Sequence, residues 1–127
     1  MDTDSHRFLL KDETRQIIGC AMEAVNTLGR GLLETPYENA LCVRFGLREI
    51  LFNQQPRFDV TCKSVKVGEY VPVLIFFNQV VVDAKTVNKI TNHKHGRILN
   101  CLKITGLRVG LLLNFKYARL QWKRVVS

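Results

Sequence analysis

An acid and a base lie two residues apart near the middle of the chain, in "VVVDAKTV" (residues 80–87). The three valines predict a buried strand, and because side chains alternate between the two faces of a strand, Asp83 and Lys85 point the same way. The two residues can form a structural ion pair. They can also be half of an active site, in which the carboxylate holds Mg²⁺ and the lysine positions water or offsets phosphate charge.

A second candidate acid precedes a predicted helix in "GLLETPYENAL" (residues 31–41). Thr35 and Glu38 have the spacing of a capping box, with proline at the first helical position, which puts Glu34 at the very start of the helix. An acid there either stabilises the positive end of the helix dipole or serves as a metal ligand. Tyr37 is predicted to pack in the core, with its hydroxyl hydrogen-bonded near the site.

The elements that must position these residues follow from hydrophobic periodicity. Two helices come first, from Asp12 to Leu28 and after Thr35, and a third, with Ile98, Leu99 and Leu102 inward, spans 95–106. Strands are predicted at 57–62, 71–77, 80–85, 108–115 and 120–126. This order predicts one α/β domain over residues 1–127, with residues 1–11 as an N-terminal extension and helices covering at least one face of the sheet.

Composition limits the class of protein. The chain has 127 residues, 46% of them hydrophobic, and a net charge of +8, which favours a polyanion such as nucleic acid as partner. It has no apolar run of the ~20 residues that span a bilayer, and its acidic N-terminus is unlike a signal peptide. Its four cysteines are scattered and predicted to be reduced thiols, so we expect a cytoplasmic protein with no membrane partner.

Three motifs in order resemble the GxxExxY family of the PD-(D/E)XK nuclease-like superfamily. The motifs are Gly31, Glu34 and Tyr37, then Asp83-Ala84-Lys85, then "ITNHKHGRILNCLKITGLRVGLLLNF", and the resemblance runs from about Asp12 to Val126. It implies an αβββαβ core, with a mixed central sheet flanked by helices. It also implies phosphodiester hydrolysis that depends on Mg²⁺ or Mn²⁺. Glu34 and Asp83 would then be the metal ligands, with Lys85 as the third catalytic residue.

Two positions depart from the family pattern. The strand before the D-x-K element carries an acid in the family, whereas this chain has Pro72 and then Val73, and the glutamine of the following helix is replaced by Arg97. Metal binding is therefore expected to be weak, and cleavage slow or lost. A three-residue loop, 77–79, would set Val73 opposite Asp83, so we predict that loop or a bulge in place of a two-residue turn.

The predicted third helix carries the basic residues Lys94, Arg97 and Lys103. They either contact the phosphates of DNA or RNA with low sequence specificity or form ordinary helix surface. Three functions stay open on the sequence. The chain is a nuclease-like protein with a degenerate site, a non-catalytic nucleic-acid-binding module, or a protein-interaction domain, for which a homodimer is one form.

Overall fold

The structure is a computed structural model that describes residues 9–72 and 74–127. Its helices are α1 (Lys11–Leu28), α2 (Glu34–Leu47) and α3 (Asn92–Thr105). Its strands are β1 (Phe52–Gln54), β2 (Phe58–Cys62), β3 (Val65–Tyr70), β4 (Leu74–Phe76), β5 (Val80–Lys85), β6 (Val109–Asn114) and β7 (Gln121–Val126). Helices and strands are thus mixed along the chain, as the sequence predicts.

Five strands form the central sheet, in the order β1-β4-β5-β6-β7. All neighbours are antiparallel except β5 and β6, which run parallel because α3 carries the chain back across the sheet between them. Strands β2 and β3 form a separate antiparallel hairpin. The mixed sheet with its helices confirms the predicted α/β class and is consistent with a PD-(D/E)XK nuclease-like core.

Strand β5 separates two apolar clusters, one on each face of the sheet. Val80, Val82 and Ala84 pack in the cluster that contains residues of α1 and α2. Val81 packs in the other cluster, with residues of α3 and with Tyr70 at the end of β3. Because side chains alternate along a strand, Asp83 falls on the same face as Val81, beneath α3. The sequence prediction that Asp83 shares a face with Lys85 is confirmed by their ion pair.

The β4–β5 connection sets the register of this strand. Phe76 pairs with Val80, and the Gln79 amide donates to the Phe76 carbonyl at 2.9 Å. The connection is therefore the three-residue loop that the sequence analysis favoured, with Phe77 and Asn78 in the left-handed conformation at φ values of 57° and 55°. The described ladder ends at Leu74, paired with Val82. Val73, the position of the missing acid, lies outside the described residues.

Helix α3 lies very close to strand β6, and a glycine makes this possible. A Cβ atom added at Gly110 would come within 2.8 Å of both Cγ1 and Cδ1 of Ile98, closer than real Cβ contacts. Ile98, Cys101 and Leu102 are the buried residues of this helix. The prediction that Leu99 also points inward is wrong, because Leu99 follows Ile98 by 100° around the helix and is 37% exposed.

Candidate functional site

Asp83 and Lys85 form an ion pair that is largely withdrawn from solvent. Lys85 Nζ lies 3.3 Å from Asp83 Oδ2, and the two side chains are 25% and 29% exposed. Burial raises the pKa of Asp83, although the charges of Lys85 and Arg97 act in the opposite direction. The loss of hydration therefore has a larger effect on the pKa of this carboxylate than the attraction of the two neighbouring cations.

A cavity of about 350 Å³ opens beside this pair, within the size range of small-ligand pockets. Three elements form its walls: β5, one side of α3 and the end of β3. The polar residues along these walls are Asp83, Lys85, Arg97, Asn100, Cys101 and Tyr70. The predicted D-x-K residues therefore lie in a concave site together with a basic residue of the helix that covers the sheet.

Tyr70 and Cys101 form a hydrogen-bonded pair on the wall of the cavity. Burial raises the pKa of both groups, so the phenol and the thiol stay neutral near pH 7. Neither residue is among those predicted from the sequence. The helical spacing from Ile98 could have placed Cys101 inward, whereas the alternation of "VKVGEY" puts Tyr70 on the face opposite to Val65 and Val67 and so gave no signal for it. With these groups neutral, Asp83, Lys85 and Arg97 set the charge of the walls.

Arg97 lies on the wall of the cavity. Among residues 9–72 and 74–127 it has no hydrogen-bond or ion-pair partner. Its charge nevertheless reaches the neighbouring groups, because it lowers the pKa values of Asp83, Tyr70 and Cys101 against the larger effect of burial. A guanidinium offers five N–H donors in a fixed plane, so the walls present unused donors to a ligand.

Glu34 is the first residue of α2. Its negative charge raises the pKa of Asp83, and this is the smallest of the effects on that carboxyl group. The predicted capping box is wrong: Leu33 is the N-cap, with no side-chain hydrogen bond. Glu38 instead accepts a hydrogen bond from Gln54 Nε2 of β1 at 3.0 Å. This tertiary contact takes the place of the predicted bond between Glu38 and the backbone of Thr35. Glu34 therefore belongs to the outer surroundings of the cavity and does not line it.

Tyr37 holds the loop in front of Glu34. Its ring stacks on Phe115, with centroids 4.6 Å apart, and its hydroxyl donates to the Gly29 carbonyl at 2.6 Å. Gly31 has a φ of 98°, which residues with a Cβ rarely adopt. The glycine and the tyrosine thus shape the turn that presents Glu34, and Tyr37 packs in the core as the sequence predicts.

The three basic residues proposed from the sequence do not share one face of α3. Lys94 lies in the first turn, and Arg97 follows three residues later on the cavity side. Lys103 is exposed and, six residues after Arg97, is about 120° away around the helix axis. The structure brings only Arg97 of the three to the cavity wall.

The residues of the cavity do not fit a divalent cation. Residues 9–72 and 74–127 contain no group of three His, Cys, Asp or Glu side chains placed to hold a metal. Mg²⁺ requires oxygen ligands in near-octahedral geometry. Here the Asp83 carboxylate is paired with Lys85, and Arg97 adds a second positive charge. A metal ion would have to displace one cation and lie next to another.

Comparison with known proteins identifies one relationship. A family model described as the PD-(D/E)XK nuclease superfamily matches residues 11–125. Neither curated proteins nor solved structures give a match. Within the described residues, no helix has the length and apolar character needed to cross a membrane. The family match covers nearly the whole chain, including the strand with Asp83 and Lys85 and the helix with Arg97. The chain belongs to the PD-(D/E)XK nuclease superfamily.

Proposed function

We propose that this domain binds DNA or RNA through phosphate groups at the cavity and that its Mg²⁺-dependent hydrolysis is weak or lost. The observation that carries the proposal is the charge of the cavity walls. Two cations, Lys85 and Arg97, accompany one partly buried carboxylate at the position of the superfamily's D-x-K element. That arrangement favours an anion over a divalent cation.

The charge of the whole chain supports the same partner. A net charge of +8 attracts a polyanion and speeds its encounter with the protein. The large aromatic side chains Tyr37, Phe45, Phe76 and Phe115 are fully buried, and the exposed Trp122 lies beside α1 and does not line the cavity, so none of them is available for stacking on bases there. Phosphate contacts carry no sequence information, so low sequence specificity is expected.

Hydrolysis would require Mg²⁺ or Mn²⁺ at Glu34 and Asp83. Asp83 already holds Lys85, and Glu34 lies outside the walls of the cavity. Two carboxylates are a minimal set for Mg²⁺, and this pair is opposed by two nearby cations. Binding of the ion is therefore expected to be weak, and cleavage slow or absent.

The test is a titration of fluorescently labelled DNA and RNA oligonucleotides with the full chain, with Mg²⁺ or with EDTA, followed by electrophoresis of the same samples. We expect binding at about 50 mM salt that is lost as salt rises, together with little or no cleavage in Mg²⁺. Absence of binding at low salt would reject the proposal and leave the interaction domain. Rapid Mg²⁺-dependent cleavage would reject the loss of hydrolysis.

A further inference from the structure

We propose that the cavity between β5, α3 and the end of β3 holds one phosphate group of a nucleic-acid strand without a divalent cation, with the Arg97 guanidinium in the place of the metal. The proposal rests on the proposed function and deepens it. It names the group that recognises phosphate and separates binding from metal. The three elements that form the cavity bring Lys85 and Arg97 to one concave surface.

The charge of the cavity walls is the first support. Lys85 and Arg97 contribute two positive charges and Asp83 one negative charge, while Tyr70 and Cys101 stay neutral. A phosphate diester brings a single negative charge that balances this excess. A divalent cation would raise the excess of the same walls from one positive charge to three. The walls therefore favour the anion on electrostatic grounds alone.

The geometry of Arg97 is the second support. Its guanidinium borders the cavity and has no partner among the described residues. A planar guanidinium binds two phosphate oxygens at once, and such paired, charge-assisted hydrogen bonds are roughly twice as strong as neutral ones. The positive charge of Arg97 also lowers the pKa of Asp83, so the guanidinium lies close enough to act on the same ligand as the ion pair of Asp83 with Lys85.

The ion pair between Lys85 and Asp83 is the third support. The ammonium group has three N–H donors, and one points to Asp83 Oδ2 at 3.3 Å. Two donors stay available for a phosphate oxygen. Asp83 is thus a positioning residue that orients the ammonium group. The pair is largely withdrawn from solvent, and a hydrogen bond to phosphate is stronger in such a site than in water.

Exchange of Arg97 for the glutamine of the family is the decisive change. Arg97→Gln removes the guanidinium and leaves Asp83, Lys85 and Glu34 in place. In EDTA, we expect the variant to bind an oligonucleotide roughly 10-fold or more weakly than the wild type, because a charge-assisted bidentate contact is lost. Mn²⁺ should then increase the affinity of the variant, whereas the wild type should bind equally well in EDTA and in Mn²⁺.

Two variants serve as controls. Arg15→Gln removes the same charge from α1, whose buried residues pack against the opposite face of the sheet, so its affinity should change by roughly 2-fold or less. Arg97→Lys keeps the charge without the planar fork and should fall between wild type and Arg97→Gln. Melting curves of each variant verify that the fold is intact before affinities are compared.

Inorganic phosphate at constant ionic strength isolates the single-phosphate site. Phosphate should displace the oligonucleotide from the wild type more effectively than chloride does, and this difference should vanish in Arg97→Gln. Equal losses of affinity in Arg97→Gln and Arg15→Gln, or a wild type that binds only with metal, would overturn this inference while nucleic-acid binding itself stands. A wild type that binds neither DNA nor RNA would instead overturn the proposed function.

Discussion

Asp83 is a carboxylate on the wall of the cavity, and its protonation is linked to folding. Burial raises its pKa in the folded chain above that of an exposed aspartate. The folded state therefore holds this proton more tightly than the unfolded state. The resulting contribution to stability is complete below the unfolded pKa of about 3.9 and is lost as pH rises through the folded pKa.

Asp83→Asn should reveal this linkage. The amide resembles the protonated acid, so the melting temperature of the variant relative to wild type should increase as pH rises from about 3 to about 7. Asp59→Asn is the control, because Asp59 is exposed in the β2–β3 hairpin and pairs with Lys66 at 3.2 Å. A difference between Asp83→Asn and wild type that stays flat across this pH range would contradict the effect of burial.

At the residue scale the sequence predicts the faces of side chains better than their partners. Strand alternation was sufficient to put Asp83 and Lys85 together. No local pattern indicates that Arg97 lacks a partner among residues 9–72 and 74–127 or that Tyr70 contacts Cys101, since these facts depend on how α3 and β3 pack. The roles of Glu34, Asp83 and Lys85 in catalysis and metal binding stay predictions.

At the element scale, the boundaries of β5 are those predicted, whereas β1 and β3 were not predicted. Three consecutive valines mark β5 as buried, and its register with β4 follows from the loop. Strand β1 has only three residues, too few for a periodic pattern. In β3, Val65 and Val67 are exposed by 63% and 65%, so hydrophobic residues there do not mark a buried face.

Gly110 permits a test of how closely α3 lies on the sheet. Gly110→Ala should destabilise the protein by about 1–3 kcal/mol, because the added methyl group overlaps the buried Ile98 side chain. Ile98→Val removes one of the overlapping atoms, Cδ1, so the double variant should be more stable than the sum of the single changes predicts. Thermal or urea unfolding of the four proteins measures this coupling.

Gly46→Ala provides the matched control for that experiment. Gly46 lies in helix α2, and a Cβ atom there would meet no atom of the described residues within 4 Å. The substitution should stabilise the protein by about 0.5–1 kcal/mol, because alanine loses less conformational freedom than glycine in a helix. Additive changes at Gly110 and Ile98 would mean that the added methyl group does not meet the Ile98 side chain.

For the molecule as a whole, the order of motifs indicated the fold over almost the entire chain. The family match over residues 11–125 agrees with the resemblance seen between Asp12 and Val126. Net charge favours a polyanion as partner but gives no site for it. The position of the cavity could not be predicted, since it needs the relative placement of β5, α3 and the end of β3.

The salt dependence of binding counts phosphate contacts for the whole molecule. On single-stranded DNA, the slope of log affinity against log salt should become shallower by about 0.7 in Arg97→Gln, the value for one lost phosphate contact. The slope for Arg15→Gln should equal that of the wild type, because α1 packs against the other face of the sheet. Equal slopes for all three proteins would place the contacted phosphates elsewhere on the surface.

The parallel pairing of β5 with β6 also determines when the cavity can form during folding. Hairpin β4–β5 closes through a three-residue loop, whereas Val80 meets Val109 only after a segment of about 30 residues has been looped back. Contacts between distant segments are gained late and limit the folding rate. Until that loop closes, Asp83 stays hydrated on an open strand and Arg97 has no fixed position relative to it. Formation of the cavity therefore depends on this long-range pairing, and a nascent chain lacks the pairing until β6 has been synthesised.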